Sequence, residues 1–292
     1  MTFSLGAEQL MSLEEFCLFR DSIHNHCGIY FNDDSKYLLE KRLALRMAAQ
    51  NIASFREYYQ FIKYNRNKDQ EMMDIMDILT TNETYFFREA YQLKAFTDEI
   101  IPEIVKAKSA TGCQSLRIWS AGCSTGEEPY TIAMLLKGIQ ALNRFKIEVI
   151  GTDISHRVLQ LAQRGVYGKS SFRVTDECYI KRFFNEQDDC FRVNDEIRKM
   201  VSIQSLNLLD PRQIDRLGKV DLVFCRNVII YFDLTAKKKV VDSFHGSLSD
   251  GGFLLLGHSE SLMNITTLFT LRHFKNDMIY QKPAPIIVKG QL

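Results

Sequence analysis

Proline is scarce in this chain of 292 residues, with five in all, and the first hundred residues hold only two glycines, Gly6 and Gly28. Such a shortage of helix breakers fits a small helical bundle at the front of the chain. Cysteine is also sparse: seven residues, an odd number with no Cys-x-x-Cys pair, are too few for a disulfide scaffold of this length. Reduced thiols in a cytosolic protein are the simplest reading. Long apolar runs are missing, and even DLVFCRNVIIYF breaks well short of the roughly 20 residues that span a bilayer. The opening MTFSLGAEQLMSLEEF has no basic stretch before an apolar core and carries Glu8, Glu14 and Glu15, so it does not read as a signal peptide. Nor does either charge dominate: 37 Lys+Arg against 36 Asp+Glu excludes a generally basic nucleic-acid coat and an acidic tail protein. There is no Gly-x-x-x-x-Gly-Lys-Ser/Thr loop and no complete Gly-x-Gly-x-x-Gly, which counts against kinases and dinucleotide enzymes.

What is present divides near residue 110. Before it, LMSLEEFCLFRDSIHNHCGI, SKYLLEKRLALRMAAQ, SFREYYQFIKY and QEMMDIMDILTTNE place apolar residues three and four apart, the mark of helices. Asp34-Ser35 and Ser54 suit the N-caps of the second and third. After it, SLRIWSAG, FKIEVIGTD, MVSIQSLN, KVDLVFCRN and GGFLLLG read as short buried strands. The helical EEPYTIAMLLKGIQ, SHRVLQLAQR and LTAKKKVVDSFHGSL lie between them, which predicts a mostly parallel sheet with helices on both faces. LFTLRHF and MIYQKP predict a final antiparallel pair. Residues 165–200 break the rhythm and predict an inserted subdomain with a helix and short strands.

Local charge is uneven although the total is not. Lys36, Lys41, Arg42, Arg46, Arg56, Lys63, Arg66 and Lys68 against Glu40 and Glu57 give residues 35–68 a net of +6. Asp69, Glu71, Asp74, Asp77 and Glu83 then give 69–83 a net of −5. Arg42 and Arg46, four apart, share a helix face. That face is either ordinary solvated surface or a docking surface for an acidic partner.

In open parallel sheets ligands sit beyond the carboxyl ends of the strands. The first strand runs into Ala121-Gly122-Cys123-Ser124-Thr125-Gly126-Glu127-Glu128-Pro129-Tyr130. Its glycines let backbone approach a ligand, while Glu127-Glu128 at the helix start would repel a phosphate and suit a positive group. The second strand ends in Gly151-Thr152-Asp153, where a carboxylate suits ribose hydroxyls, or merely caps the next helix. A nucleoside without phosphates but with a cationic group describes S-adenosylmethionine.

Six blocks then resemble the chemotaxis receptor methyltransferases, the CheR family, over nearly the whole chain from about 10 to 283. They are NETYFFRE (82–89), RIWSAGCSTGEEPYTIAM (117–134), GTDIS (151–155), LNLLD (206–210), FCRNVIIYF (224–232) and GGFLLLGHSESL (251–262). The resemblance implies a class I S-adenosylmethionine-dependent methyltransferase of α/β class, with a Rossmann-like, mostly parallel sheet and an antiparallel final strand. It implies an N-terminal helical receptor-recognition domain over 10–90 with a linker to about 110. The methyltransferase domain would cover 110–284, with a small inserted β-subdomain at about 172–203. The implied reaction is O-methylation of glutamate side chains on methyl-accepting chemotaxis receptors, with S-adenosyl-L-homocysteine as product. Asn82, Thr84 and Arg88 would close over the cofactor beside Gly122, Glu128 would meet its amino group and Asp153 its ribose. Asn207 and Leu208 would flank the adenine, and Cys225 and Arg226 would complete the pocket. Arg88 and Tyr231 would place the substrate carboxylate, and Arg42 and Arg46 would dock the receptor's cytoplasmic methylation helices. The family reading makes the protein cytoplasmic and brings it to membrane receptor arrays through the receptors, with no nucleic-acid partner and no membrane insertion. The alternative is a methyltransferase, or a cofactor-binding regulator, acting on another acidic helical signalling protein.

Other residues invite chemistry and are assigned structure. His24 and His26 point apart on a helix, so no metal is expected. His258 is expected to fix a loop, Cys123 and Cys225 to be inert thiols, and Met72, Met73 and Met76 to fill the bundle core. FFNEQDDCFRV is short, acidic and without glycine, which predicts no tight binding of a receptor tail peptide by the inserted subdomain.

Overall fold

A computed structural model describes residues 10–284. It divides into two compact units, one running to Thr81 and taking in Tyr231–Asp233, the other formed by Asn82–Ile230 and the chain from Leu234 onward.

The first unit is helical: α1 (Leu13–Cys27), α2 (Lys36–Ala49), α3 (Phe55–Tyr64) and α4 (Lys68–Leu79). Ser12 and Glu15 form a capping box on α1, which satisfies two backbone N–H groups at its start. Ser54 caps α3 as expected, whereas Ser35 makes no side-chain cap, because Asp33–Ser35 form a short 3-10 turn leading into α2. Phe16, Phe19, Ile23, Leu39, Leu43, Tyr58 and Ile75 are buried in its core. Of the three methionines expected there, Met76 is buried and Met72 and Met73 are half-buried. Residues 231–233 join this unit through a bridge between Ile29 and Phe232 and a bond from the Tyr30 N–H to the Tyr231 carbonyl.

The second unit opens with α5 (Ala90–Ala95), a π-helical turn at Phe96–Ile100 and α6 (Ile101–Ala110). It continues β1 (Ser115–Ala121), α7 (Glu127–Lys137), β2 (Lys146–Asp153), α8 (His156–Arg164), β3 (Val166–Tyr167), α9 (Glu177–Phe183), β4 (Phe184–Gln187), β5 (Cys190–Val193) and α10 (Asp195–Arg198). It closes with β6 (Val201–Ser205), α11 (Pro211–Asp215), β7 (Val220–Cys225), α12 (Leu234–Ser247), β8 (Leu248–Leu256), β9 (Thr270–His273) and β10 (Met278–Gln281). Seven of the strands form one sheet in the order β6-β2-β1-β7-β8-β10-β9, in which β10 alone runs against the rest and pairs antiparallel with both β8 and β9. The central strand β7 is buried throughout, as a parallel strand covered on both faces must be. Phe96, Phe224 and Phe253 are almost fully buried in its core, each contributing about 2 kcal/mol by burial.

Two boundaries differ from expectation. The division between units falls after Thr81, so the whole NETYFFRE segment belongs to the sheet unit. The inserted subdomain begins at Val166, close to the break in rhythm at 165 and earlier than the 172 that the resemblance implies, with its own sheet in the order β3-β5-β4, and 201–203 lie in β6 of the main sheet. The MVSIQSLN strand signal marked that end, but VY at 166–167 is too short to register as a strand. All seven cysteines are free thiols. Among the described residues no helix is long and apolar enough to cross a membrane.

Candidate functional site

β1 and β2 run parallel with Ala121 opposite Thr152, so the loops that follow them leave the sheet side by side. The Gly122 and Cys123 N–H groups both donate to the Thr152 carbonyl at 2.8 Å, tying the first loop to the second strand. Gly126 caps α7 in the left-handed region at φ 95°, and a Cβ there would lie 2.8 Å from that of Ala162, so only glycine fits this turn.

Asp153 ends β2 with its carboxylate fixed by backbone: the Ser124 N–H donates at 2.9 Å and the Ser155 N–H at 3.0 Å. The capping interpretation of Asp153 falls to Ser155, whose hydroxyl accepts from the Val158 N–H. The Leu206 N–H donates to the Asp153 carbonyl, which brings Asn207 and buried Leu208 beside the end of β2. Asn207 is held in turn, its N–H on the Gln213 side chain and its Oδ1 on the Leu209 N–H.

The two adjacent glutamates separate sharply. Glu127 is buried and accepts from the Thr125 hydroxyl at 2.6 Å and the Ser171 hydroxyl at 3.0 Å; burial pushes its carboxyl upward. Glu128 accepts one donor on each oxygen, the Ser120 hydroxyl and the Arg226 Nε, both at 2.6 Å. A carboxylate has about four acceptor positions, so Glu128 keeps room for another donor.

Arg226, directly beyond buried Cys225 at the end of β7, also donates to the Arg88 carbonyl at 2.8 Å and lies 3.6 Å from Glu89. Arg88 thereby belongs to the same cluster. It sits between Phe87 and Glu89, both at positive φ (60° and 57°), a backbone that non-glycine residues adopt at a cost. Its guanidinium donates to the Glu83 carbonyl and faces the Tyr85 ring. Nearby, the Asn82 carbonyl accepts from the Ser124 hydroxyl, and the Phe86 N–H donates to the Ser171 carbonyl. Asn82, half-buried Thr84, Arg88, Gly122, Glu128, Asp153, Asn207, Leu208, Cys225 and Arg226 all fall within the sheet unit.

Tyr231 is grouped with the helical unit, in the 3-10 turn Ile229–Tyr231 five residues beyond Arg226, and is exposed. Arg42 and Arg46 are not the free cations that a docking face asks for. Arg46 binds Glu71 with both Nε and Nη2 and also Asp74 at 2.5 Å, and Arg42 donates to the Leu79 carbonyl. The acidic stretch of α4 has folded against the basic face of α2. Lys41, Arg56, Lys63, Arg66 and Lys68 stay exposed.

Sequence reasoning missed Ser120 and Glu260. Ser120 looked like an ordinary strand residue, yet it orients Glu128. Glu260 stood within GHSESL, and its carboxylate, rather than exposed His258, makes the contacts there. His24 lies 3.3 Å from Asp233, and among the described residues no group of His, Cys, Asp and Glu could hold a metal.

An acceptor with room at Glu128 and a backbone-fixed carboxylate at Asp153, with no cationic phosphate loop in the sequence, make an acceptor set that fits a nucleoside bearing positive charge. Comparison with known proteins agrees. Residues 82–277 match the family described as CheR methyltransferase, SAM binding domain, and residues 14–80 match CheR methyltransferase, all-alpha domain. Chemotaxis protein methyltransferase 2 of Vibrio cholerae serotype O1 is 35% identical over 271 residues, covering 92% of this chain and 93% of that protein. The Chemotaxis protein methyltransferase of Borreliella burgdorferi is 37% identical over 244 residues, covering 82% and 85%. Chemotaxis protein methyltransferase 1 of Pseudomonas aeruginosa is 36% identical over 273 residues, covering 91% and 97%.

Proposed function

The chain belongs to the CheR methyltransferase family, and from that premise we propose that it esterifies glutamate side chains on the cytoplasmic methylation helices of chemotaxis receptors. Its cofactor is S-adenosylmethionine, which supplies a methyl group already activated as a sulfonium. The observation that carries the reading is the pairing of Glu128, with its spare acceptor capacity in the first turn of the helix after β1, and Asp153 at the end of the adjacent parallel β2.

Each residue's part follows from its chemistry. Glu128 accepts from the cofactor's ammonium group, and Asp153 from ribose hydroxyls. Asn207 and Leu208 offer polar and apolar contact to the adenine. Asn82, Thr84 and Arg88 close over the cofactor from the linker side, and Cys225 and Arg226 wall the pocket. Glutamate, with an ordinary pKa near 4.3, is already an anion at neutral pH, so no general base is needed. The remaining task is alignment: the Arg88 fork and the Tyr231 hydroxyl hold one carboxylate oxygen in line with the methyl group. They must do so without quenching its nucleophilicity, which favours hydrogen bonds over a closed ion pair.

The receptor helix docks through the exposed Lys41 and Arg56 rather than Arg46, whose charge is committed to Glu71 and Asp74. Reversing both exposed charges raises the Michaelis constant for receptor and leaves cofactor affinity alone. The inserted subdomain works without a receptor tail peptide: its hairpin turns through Asp188 and Asp189, both at positive φ, a tight turn that adds two acidic side chains and no glycine loop. Micromolar binding of such a peptide in calorimetry would overturn that part. The whole reading is tested by transfer of tritiated methyl from S-adenosylmethionine to receptor-containing membranes. Counts released as methanol by base support an ester; base-stable counts, or none, refute it.

A further inference from the structure

We propose that Glu260 is the positioning residue for the methyl-transfer site, clamping the Asn227–Ile230 loop through backbone N–H groups. Its Oε2 accepts from Asn227 at 2.7 Å and Gly257 at 2.8 Å, and its Oε1 from Val228 at 3.0 Å and Ile230 at 3.2 Å. Four donors fill the about four acceptor positions of one carboxylate, so the side chain is given over entirely to this loop and its neighbour.

The loop needs such a clamp. Asn227 sits at φ 59°, and its buried Oδ1 has no hydrogen-bond partner among the described residues. Left-handed backbone and an unpaired buried acceptor each cost free energy, and persist only where surrounding bonds over-determine the conformation. Gly257 admits the carboxylate: a Cβ there would lie 2.9 Å from both the Asn227 nitrogen and Glu260 Oε2. The clamped loop in turn sets Val228 against Gly122, where a Cβ would collide with the valine side chain. Glu260 thus fixes the loop after β7 against the loop after β1 without touching the bound groups itself.

Arg226 is anchored separately, by Glu128 and the Arg88 carbonyl. The cofactor contacts proposed above therefore survive loss of the clamp, while the 227–230 segment that leads to Tyr231 does not stay in place. The inference rests on the methyltransferase reading. In Glu260→Gln the amide NH2 faces two N–H donors, and half of the clamp opens.

The test uses the full chain with Glu260→Gln and, from the opposite side, Gly257→Ala. Amide exchange at Asn227, Val228 and Ile230 is expected to quicken about tenfold or more while β1 and β2 amides keep their protection. Affinity for S-adenosylhomocysteine in calorimetry stays within about threefold, and kcat for receptor methylation falls about tenfold or more. Unchanged exchange overturns the proposal, as does a parallel fall in product affinity and kcat. A wild-type chain that transfers no methyl refutes the methyltransferase reading instead, and the exchange data still decide the role of Glu260.

Discussion

Glu71 in the helical unit and Glu128 in the sheet unit are both held by an arginine, but one carboxylate is closed and the other is not. Glu71 takes Arg46 Nε and the Tyr58 hydroxyl on one oxygen, Arg46 Nη2 and the Gln50 amide on the other. Glu128 takes one donor per oxygen. Saturation separates these two carboxylates, and burial sets apart Glu127, which also takes one donor per oxygen; Glu128 alone of the three is proposed to take a ligand. Tyr58 belongs to the closed set: burial and its bond to Glu71 push its hydroxyl up.

The comparison can be broken in several ways. Arg88→Ala gives the largest effect expected: with Arg88 gripping the substrate carboxylate as proposed, its loss should cost about a hundredfold in kcat/KM, read by tritium transfer. Near-normal turnover would take Arg88 out of the site. Glu71→Gln comes next. Whichever oxygen becomes NH2 meets an arginine N–H, so the melting curve should report a loss of about 2 kcal/mol while cofactor affinity is unmoved. Glu128→Gln should do the reverse. Its remaining oxygen can keep Arg226 and its NH2 can donate to Ser120, so stability holds, while calorimetry shows S-adenosylmethionine bound about tenfold more weakly. If both Gln variants lose stability alike, saturation is not the distinction. Tyr231→Phe is milder still, about fivefold in kcat, since one hydrogen bond goes and the ring stays.

The smallest effect is a pH dependence. Burial pushes the Glu71 carboxyl up, but the Arg46, Tyr58 and Gln50 bonds outweigh it and hold the group below its ordinary 4.5. A depressed folded pKa gives stability that is full above about pH 4.5 and lost as pH falls through and below it. Thermal melts from pH 6 to about pH 3 should show this acid slope in the wild type and a shallower one in Glu71→Gln. Equal slopes would remove Glu71 as their source.

Much of this was legible in the sequence for local reasons. Strands β1, β2, β7 and β8 of the main sheet carry short apolar runs stopped by a small or polar residue, as with Gly122 after β1 and Asp153 at the end of β2. The candidate residues that stand in those stops were picked out by the pattern itself. Long-range pairing was not legible. Residues 35–68 and 69–83 read as opposed patches, yet α2 and α4 pack together and Arg46 meets Glu71 across 25 positions. Glu260 was hidden for the same cause: three of its four donors lie thirty or more residues upstream, and nothing in GHSES says that a backbone loop will come to it.

The three residues Tyr231–Asp233 have a consequence for anyone exchanging parts among relatives. The helical unit is discontinuous in sequence: Ile29 and Tyr30 find their backbone partners in Phe232 and Tyr231, some two hundred positions downstream. A graft cut cleanly at Thr81 would import the helices and leave those partners with the host. Chimeras that carry the donor's 231–233 along with its first eighty-one residues should express and melt like the parents, and those that do not should show a frayed bridge at Ile29. Any property that the helical unit carries would then travel in such swaps in two pieces, one long and one of three residues.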